Sequence, residues 1–76
     1  MRVRLIGVEP KSKPCESLDG WYDFSVSPGC TIAAVLERFG LEAGALSVRK
    51  NGSLAGGEDA ADDSDELQIF LKSLGG

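Results

Sequence analysis

A single apolar stripe at helical spacing constrains this chain more than any other feature of its sequence. Four residues form the stripe: Ile32, Val35, Leu36 and Phe39. Their spacing of i, i+3, i+4 and i+7 predicts a helix over 32–39 with one buried face. Thr31 precedes the stripe as an N-cap, and Gly40 follows it where a left-handed residue ends many helices. The rest of the core must therefore come from strands.

Two strands are predicted before this helix. Residues 1–8 alternate apolar and charged side chains and then become apolar, which predicts a first strand. Its core face would carry Met1, Val3 and Leu5. Residues 21–26 are aromatic and β-branched, which favours a second strand. One face of this strand would carry Tyr22, Phe24 and Val26, and the other Trp21 and Asp23.

Three further strands are predicted after the helix. Residues 46–50 form a short strand, the dipeptide Asn51-Gly52 favours a tight turn, and residues 53–55 return as a brief edge segment. Residues 66–72 alternate again and predict the last strand. Leu67, Ile69 and Leu71 would face the core, and Gln68, Phe70 and Lys72 the opposite side.

Two polar segments connect these elements. Residues 9–20 predict a loop, whose length we interpret as tolerated rather than as a contact surface. Residues 56–65 carry five acids among glycine, alanine and serine, which predicts a solvated loop with at most one helical turn. Steering toward a basic surface is an alternative role for these acids. Cys15 and Cys30 are interpreted as incidental thiols, although the position of Cys30 before a helix can also make a thiol reactive.

The order of elements predicts the architecture. A helical crossover with one apolar stripe fits a mixed sheet with the helix packed across it. We therefore predict an α+β, β-grasp arrangement in which the first and last strands are parallel and central. It would form one domain over 1–72, followed by a flexible Gly-Gly tail over 73–76.

Length and composition exclude several classes of function. A chain of 76 residues buries only roughly 60% of its unfolded surface, which leaves little room for a catalytic cleft. The absence of histidine removes the commonest general base and metal ligand. Two cysteines are too few for a zinc or iron–sulfur site built from four thiolates. These features exclude most catalytic constellations, and we expect no metal site.

Charge and hydropathy limit the partners. Eight basic and twelve acidic residues give a net charge of −4, opposite in sign to a surface that binds nucleic acid. The apolar runs are far shorter than the roughly 20 residues of a membrane span, and the first residues do not resemble a signal peptide. We expect a soluble cytoplasmic protein that binds neither nucleic acid nor membrane.

The last residues are the most informative candidates for function. Leu74, Gly75 and Gly76 bring a free carboxylate to the end of the last strand. Ordering glycine costs more backbone entropy than ordering any other residue, so we expect a tail without a fixed conformation that threads a narrow channel. Without Cβ atoms, a partner's backbone and a nucleotide can approach the carboxyl carbon closely.

Several short motifs occur in a characteristic order. They are Thr31-Ile32 with Val35-Leu36, Val48 with Asn51-Gly52, Asp65-Glu66-Leu67 before Ile69-Phe70, and Gly75-Gly76. In this order and spacing the chain resembles the β-grasp sulfur-carrier family (MoaD/ThiS). That family includes the small subunit of molybdopterin synthase and the carrier of thiamine biosynthesis, and it is more distantly similar to ubiquitin.

The resemblance implies that an ATP-dependent activating enzyme of the ubiquitin-activating type adenylates Gly76. A sulfur donor then converts the acyl-adenylate into a thiocarboxylate, which gives its sulfur to a synthase that makes molybdopterin, tungstopterin or thiamine. The chain would be a carrier without catalytic residues or a stably bound cofactor, because the activating enzyme brings ATP and magnesium. Phe70 and Lys72, close to the tail, are the predicted partner-binding residues.

Two alternatives stay open. In a ubiquitin-like protein modifier, the same activated Gly76 would form isopeptide bonds with lysines. In an inert ubiquitin-like binding module, Gly76 would have no chemical role. The carrier is favoured because no basic residue stands directly before the final glycines, in contrast to the Leu-Arg-Gly-Gly end of ubiquitin.

Overall fold

The computed structural model describes residues 1–72. In this part of the chain one α-helix and six strands follow each other, with a short 3₁₀ turn at Ala43–Ala45. The elements are β1 (Arg2–Ile6), β2 (Ser17–Leu18), β3 (Trp21–Asp23), α1 (Ile32–Arg38), β4 (Leu46–Lys50), β5 (Ser53–Ala55) and β6 (Glu66–Leu71).

The six strands form one mixed sheet in the order β2-β3-β1-β6-β4-β5. β1 and β6 lie at its centre and are parallel, with Val3 opposite Leu67 and Leu5 opposite Ile69. The other neighbouring strands are antiparallel. The structure therefore confirms the α+β class, the mixed sheet with one helix, and the central parallel pair.

The core lies between α1 and one face of the sheet. All four residues of the helical stripe are buried, as are Val3, Val48, Leu67 and Ile69 of the sheet. Phe39 joins the helix to the N-terminal strands, because the rings of Tyr22 and Phe24 meet it edge-on, at centroid distances of 5.0 and 5.9 Å. Tyr22 is buried, and Phe24 and Val26 pack against the same core, as predicted.

Both ends of α1 follow the prediction closely. The hydroxyl of Thr31 accepts a hydrogen bond from the amide of Ala34 at 3.2 Å, which caps the first turn. The helix ends at Arg38, one residue before the predicted end. Gly40 then takes φ = +70°, and its amide donates to the carbonyl of Glu37. A left-handed glycine in this position is the usual end of a helix.

The first loop packs against this end of the helix. The amides of Lys11 and Ser12 both donate to the carbonyl of Phe39, at 2.9 and 3.1 Å. A Cβ atom at Gly40 would lie 2.8 Å from Cβ of Lys11, so the close approach also requires glycine. Part of the long first loop therefore packs over the C-terminal end of α1 and is held there by these hydrogen bonds.

The N-terminal hairpin differs from the prediction at both ends. β1 ends at Ile6 instead of residue 8, because Gly7 turns the chain with φ = +67°. The segment predicted as a loop over 9–20 contains β2, which pairs with β3 through a turn at Asp19 and Gly20. Both turn residues have positive φ, as the tight turns of hairpins require. A two-residue strand was too short for the sequence pattern to show.

The second predicted strand is also shorter, since β3 ends at Asp23 instead of residue 26. The amide of Phe24 still donates to the carbonyl of Met1. The amide of Val26, however, donates to the carboxylate of Asp63 at 2.6 Å. A loop side chain therefore replaces the neighbouring strand as its partner.

The prediction of a solvated acidic loop over 56–65 is partly wrong. Ala61 is buried in the core, and its amide donates to the carbonyl of Cys30 at 2.8 Å. The amides of Ile32 and Ala33 donate to carbonyls of the same loop. The segment forms no helical turn, and it packs against the start of α1.

The C-terminal half otherwise follows the prediction. β4, the turn at Asn51-Gly52 and β5 have the predicted bounds, and both turn residues have positive φ. β6 begins at Glu66 as expected and ends at Leu71 instead of Lys72. Leu71 was expected to face the core, but it is the last residue of β6 and is 61% exposed.

Candidate interaction surface

The predicted functional residues divide into two groups. Leu74, Gly75 and Gly76, on which the sulfur-carrier prediction depends, lie outside the described residues. Phe70 and Lys72 lie within them. The outer face of the sheet, opposite α1, is where Phe70 is found, and it is the candidate surface described below.

Strand pairing arranges the outer face in three rows. The lower row is Asp23, Arg2 and Glu66. The middle row runs across all six strands and is Leu18, Trp21, Arg4, Gln68, Arg49 and Leu54. The upper row is Ile6, Phe70 and Ser47. The rows follow because paired residues on neighbouring strands project to the same side.

Phe70 lies on the outer face, as predicted. Ile6 flanks it on β1 and Ser47 on β4, and the guanidinium carbon of Arg49 is 5.8 Å from the centre of its ring. The ring is half-buried by these neighbours. Ile6 beside it is 45% exposed, so the two side chains form an apolar pair near the end of β6.

Lys72 does not continue the outer face beside Phe70, where it was expected. It follows the end of β6, its amide donates to the carbonyl of Ala45, and its ammonium lies 3.4 Å from the carbonyl oxygen of Gly44. With Leu36 and other residues it lines a shallow cavity of about 260 Å³ between α1 and β4. Its side chain therefore lies toward the helix side of the sheet.

The middle row combines arginines with exposed apolar side chains. Leu18 and Leu54, at its two ends, are 77% and 73% exposed. The guanidinium of Arg2 lies over the ring of Trp21 at 4.3 Å, and that of Arg4 at 5.7 Å. Such stacking is attractive because the face of the indole ring is negative. The ring of Trp21 therefore packs against both guanidiniums.

The arginines of this face were not predicted as candidates. The signal was present in the alternation of Arg2 and Arg4 with apolar residues in β1, which places both on the solvent side. Arg49 alternates with buried Val48 in the same way. The sequence pattern did not show that Arg4 and Arg49 lie on opposite sides of β6. Only the order of the strands in the sheet shows this.

The carboxylates of the 56–65 loop mainly accept hydrogen bonds from backbone amides of the same loop. Asp59, Asp62, Asp63 and Asp65 each accept a hydrogen bond from a backbone amide. Asp65 also accepts a hydrogen bond from the side chain of Asn51 at 2.9 Å. This bond, together with the amide of Asp62, lowers the pKa of Asp65 below its ordinary value. Asn51 thereby joins the β4–β5 turn to the start of β6.

The two cysteines have local hydrogen bonds. The thiol of Cys15 donates to the carbonyl of Asp23 at 3.5 Å, and that of Cys30 to the carbonyl of Thr31 at 3.4 Å. Cys30 lines a shallow cavity of about 480 Å³ with Pro28 and Arg38. Both cysteines are half-buried and pack against the core.

Residues 1–72 bring no three acidic, cysteine or histidine side chains together in an arrangement that would hold a metal ion. No helix within this stretch has the length and hydropathy needed to cross a membrane. Comparison of the chain with models of protein families, with curated proteins and with solved structures finds no match.

Proposed function

We propose that this protein is a β-grasp sulfur carrier whose C-terminal Gly76 is adenylated and then converted into a thiocarboxylate. The thiocarboxylate would donate its sulfur in cofactor biosynthesis of the molybdopterin, tungstopterin or thiamine type. In this proposal the chain is the substrate of an activating enzyme and not itself an enzyme, and it works in the cytoplasm.

The observation that carries the proposal is the position of β6. This last strand is held between β1 and β4 at the centre of the sheet, and it is hydrogen-bonded on both sides as far as Phe70. The six residues that follow Phe70 end in Gly75-Gly76. A terminus that follows a central strand paired on both sides starts from a fixed point in the fold, which supports its delivery into a partner's active site.

The fold supports the same proposal at a coarser level. A mixed sheet crossed by one helix, with the first and last strands parallel and central, is compatible with the β-grasp arrangement of the family that the sequence resembles. Because unrelated functions use one fold, this likeness supports the proposal without carrying it.

The chemistry requires activation, because a carboxylate is a poor electrophile. In the proposed first step a carboxylate oxygen of Gly76 attacks the α-phosphorus of ATP and pyrophosphate leaves. Hydrosulfide supplied by the donor then attacks the acyl carbon, AMP leaves, and a thiocarboxylate remains. ATP, magnesium and the sulfur donor come from the partners, so the chain needs no stably bound cofactor.

The described residues contribute the partner surface in this proposal. Phe70 and Ile6, near the end of β6, would anchor the activating enzyme and later the synthase while the terminus is in the active site. Lys72 would contribute from the other side of the strand end, where its ammonium lies beside Gly44.

Mass spectrometry tests the proposal after co-expression with the host's activating enzyme and a sulfur source. The exchange of oxygen for sulfur adds about 16 Da, which oxidation of Met1, Cys15 or Cys30 would also add. Cleavage after Lys72 resolves the ambiguity, since the peptide 73–76 contains neither methionine nor cysteine. We expect the gain on this peptide, and we expect deletion of Gly76 to abolish it.

Other results would change the assignment. Attachment of a whole protein to Gly76 would indicate the ubiquitin-like modifier. An unmodified carboxylate, with no acyl-adenylate trapped in the presence of ATP, would contradict the carrier and leave the inert binding module.

A further inference from the structure

We propose that the middle row of the outer face docks onto an acidic protein surface. Arg4 and Arg49 would pair with carboxylates of the partner, and the adjacent pair of Ile6 and Phe70 would receive an apolar side chain. The inference rests on the proposed function, because the partner it describes is the activating enzyme. It adds that this enzyme must present carboxylates and an apolar side chain at the contact.

The first argument is the absence of intramolecular partners for two arginines. Among residues 1–72 the one ion pair joins Arg2 to Glu66, at 3.2 Å. Arg4 and Arg49 have no carboxylate partner in this part of the chain. Gln68 of β6 stands between them, so their Cα atoms are separated by two strand spacings, or about 10 Å. Because the two side chains start this far apart on either side of β6, each guanidinium can form a bidentate pair with a carboxylate of its own.

The second argument is the distribution of charge. The outer face carries three arginines against Asp23 and Glu66. The rest of the chain carries five lysines and arginines and ten acids. The strands of the outer face therefore carry a small excess of positive charge in a protein whose net charge is −4. In this proposal the excess favours contact of an acidic partner with this face over contact with the acidic remainder of the chain.

The third argument is the coincidence of these charges with exposed apolar surface. Leu18, Leu54 and Ile6 are the exposed large hydrophobic residues of the outer face, and Trp21 and Phe70 lie among them. Aromatic residues and arginine are the types enriched at protein interfaces and at their energetic centres. The aromatic rings also hold the guanidiniums of Arg2, Arg4 and Arg49 near the face, which lowers the entropy lost on binding.

The charges also decide between classes of partner. A symmetric dimer whose two-fold axis passes through the middle row would bring Arg4 and Arg49 of one copy close to those of the other, which is unfavourable. The face itself has a net charge of only about +1 in a chain that is acidic elsewhere, whereas a nucleic acid needs a broader basic surface. An acidic protein surface with an apolar centre matches both properties of the face.

The test is ATP–pyrophosphate exchange by the activating enzyme from the same source, with the full chain as substrate. For Arg4→Glu/Arg49→Glu we expect the KM for the chain to rise about 10-fold or more at low salt, with kcat nearly unchanged. The KM of the wild type should also rise with salt more steeply than that of the variant. Lys11→Glu/Lys13→Glu is the matched control, because it makes the same change of net charge away from the outer face.

Folding is controlled independently. Circular dichroism melting identifies any variant that is destabilised, and Arg4→Gln/Arg49→Gln repeats the test without reversing the charge. For this neutral pair we expect a smaller rise in KM in the same direction. An equal rise in KM for the Lys11→Glu/Lys13→Glu control would show that net charge alone causes the effect. This result would overturn the inference.

The remaining outcomes separate the two proposals. Exchange with the wild type and an unchanged KM in the arginine variants would overturn the docking surface and leave the carrier function intact. If no chain supports exchange, the carrier function fails and the activating enzyme is removed as the partner. Binding to heparin or to phosphatidylserine vesicles that the arginine variant loses, with an unchanged KM, would assign the face to a polyanion instead.

Discussion

The inner and outer faces of the sheet are built from the same strands, yet they differ in what covers them. On the inner face Val3, Leu67 and Ile69 are completely buried beneath α1. On the outer face Ile6 and its neighbours remain partly exposed, and arginines stand between them. Burial of apolar area is the main source of stability. We therefore infer that the inner face holds the fold together, while the outer face is free to serve a partner.

The largest expected effect is on the inner face. Phe39→Ala should lower the free energy of unfolding by about 3 to 5 kcal/mol, because the ring is fully buried between Tyr22 and Phe24. Chemical denaturation measures this loss. Since it approaches the whole stability of so small a domain, Phe39→Leu serves as the milder variant.

Phe70→Ala is the matched variant on the outer face. It removes the same side chain from a half-buried position, so we expect a loss of about 1 kcal/mol or less in the same denaturation experiment. Its main effect should be a higher KM in the exchange assay. Equal losses of stability at the two phenylalanines would contradict the division between the faces.

The next largest effect concerns the end of the helix that covers the inner face. Gly40→Ala forces a Cβ atom into the left-handed region and to 2.8 Å from Cβ of Lys11. Gly52→Ala has the same backbone cost, about 1 to 2 kcal/mol, with no atom near its Cβ. The difference in unfolding free energy between the two variants measures the contact with the first loop. If Gly52→Ala costs as much, the loop does not restrain the helix end.

A smaller effect is expected at the other end of the helix. Thr31→Ala removes the side-chain acceptor of the Ala34 amide and should cost about 1 kcal/mol of unfolding free energy. Thr31→Ser keeps the oxygen and should retain most of the stability. Thermal melting of both variants provides the measurement, and a loss of the same size in Thr31→Ser would show that the methyl group matters instead.

The smallest effect depends on pH and lies at the loop that borders both faces. Because hydrogen bonds from Asn51 and Asp62 lower the pKa of Asp65 in the folded state, its carboxylate stabilises the fold above the unfolded pKa of about 3.9. This contribution is lost as the pH falls through the lower folded value. Asp65→Asn should therefore reduce stability at pH 7 by about 0.5 kcal/mol or less, after solvent screening.

The pH profile of unfolding checks this assignment. The difference between Asp65→Asn and the wild type should shrink as the pH falls below 4, where the wild-type carboxylate begins to take up its proton. Glu58→Gln, in the same loop, controls for the loss of one negative charge. A difference that stays constant with pH would mean that Asp65 acts through packing and not through its charge.

Local patterns predicted much of the inner face. The helix, its cap at Thr31 and its end at Gly40 depend on residues within four positions of each other, so spacing and residue type suffice. β4, its turn at Asn51-Gly52 and β5 were predicted with the observed bounds for the same reason. The placement of Phe70 on the outer face followed from the alternation of side chains along a strand.

The loops and strand ends were predicted less well. Ala61 belongs to the core and Val26 bonds to Asp63, although neither shows a local sign of its partner. β2 was missed because two residues carry no periodicity. Lys72 lies beside Gly44 because the sheet ends there and the 3₁₀ turn offers a carbonyl. The contacts of Ala61, Val26 and Lys72 join segments that are distant in the chain.

The same distinction applies to the function. The sequence alone specified one helix, the alternation of the strands, the acidic balance and the Gly-Gly end, because each is a property of neighbouring residues or of composition. Only the tertiary structure decided that Arg4 and Arg49 flank Gln68 and that Ile6 stands beside Phe70. These residues come from three separate strands, and their order in the sheet is set by how the inner face packs against α1. Packing of the buried side thus arranges the exposed side that we propose as the docking surface.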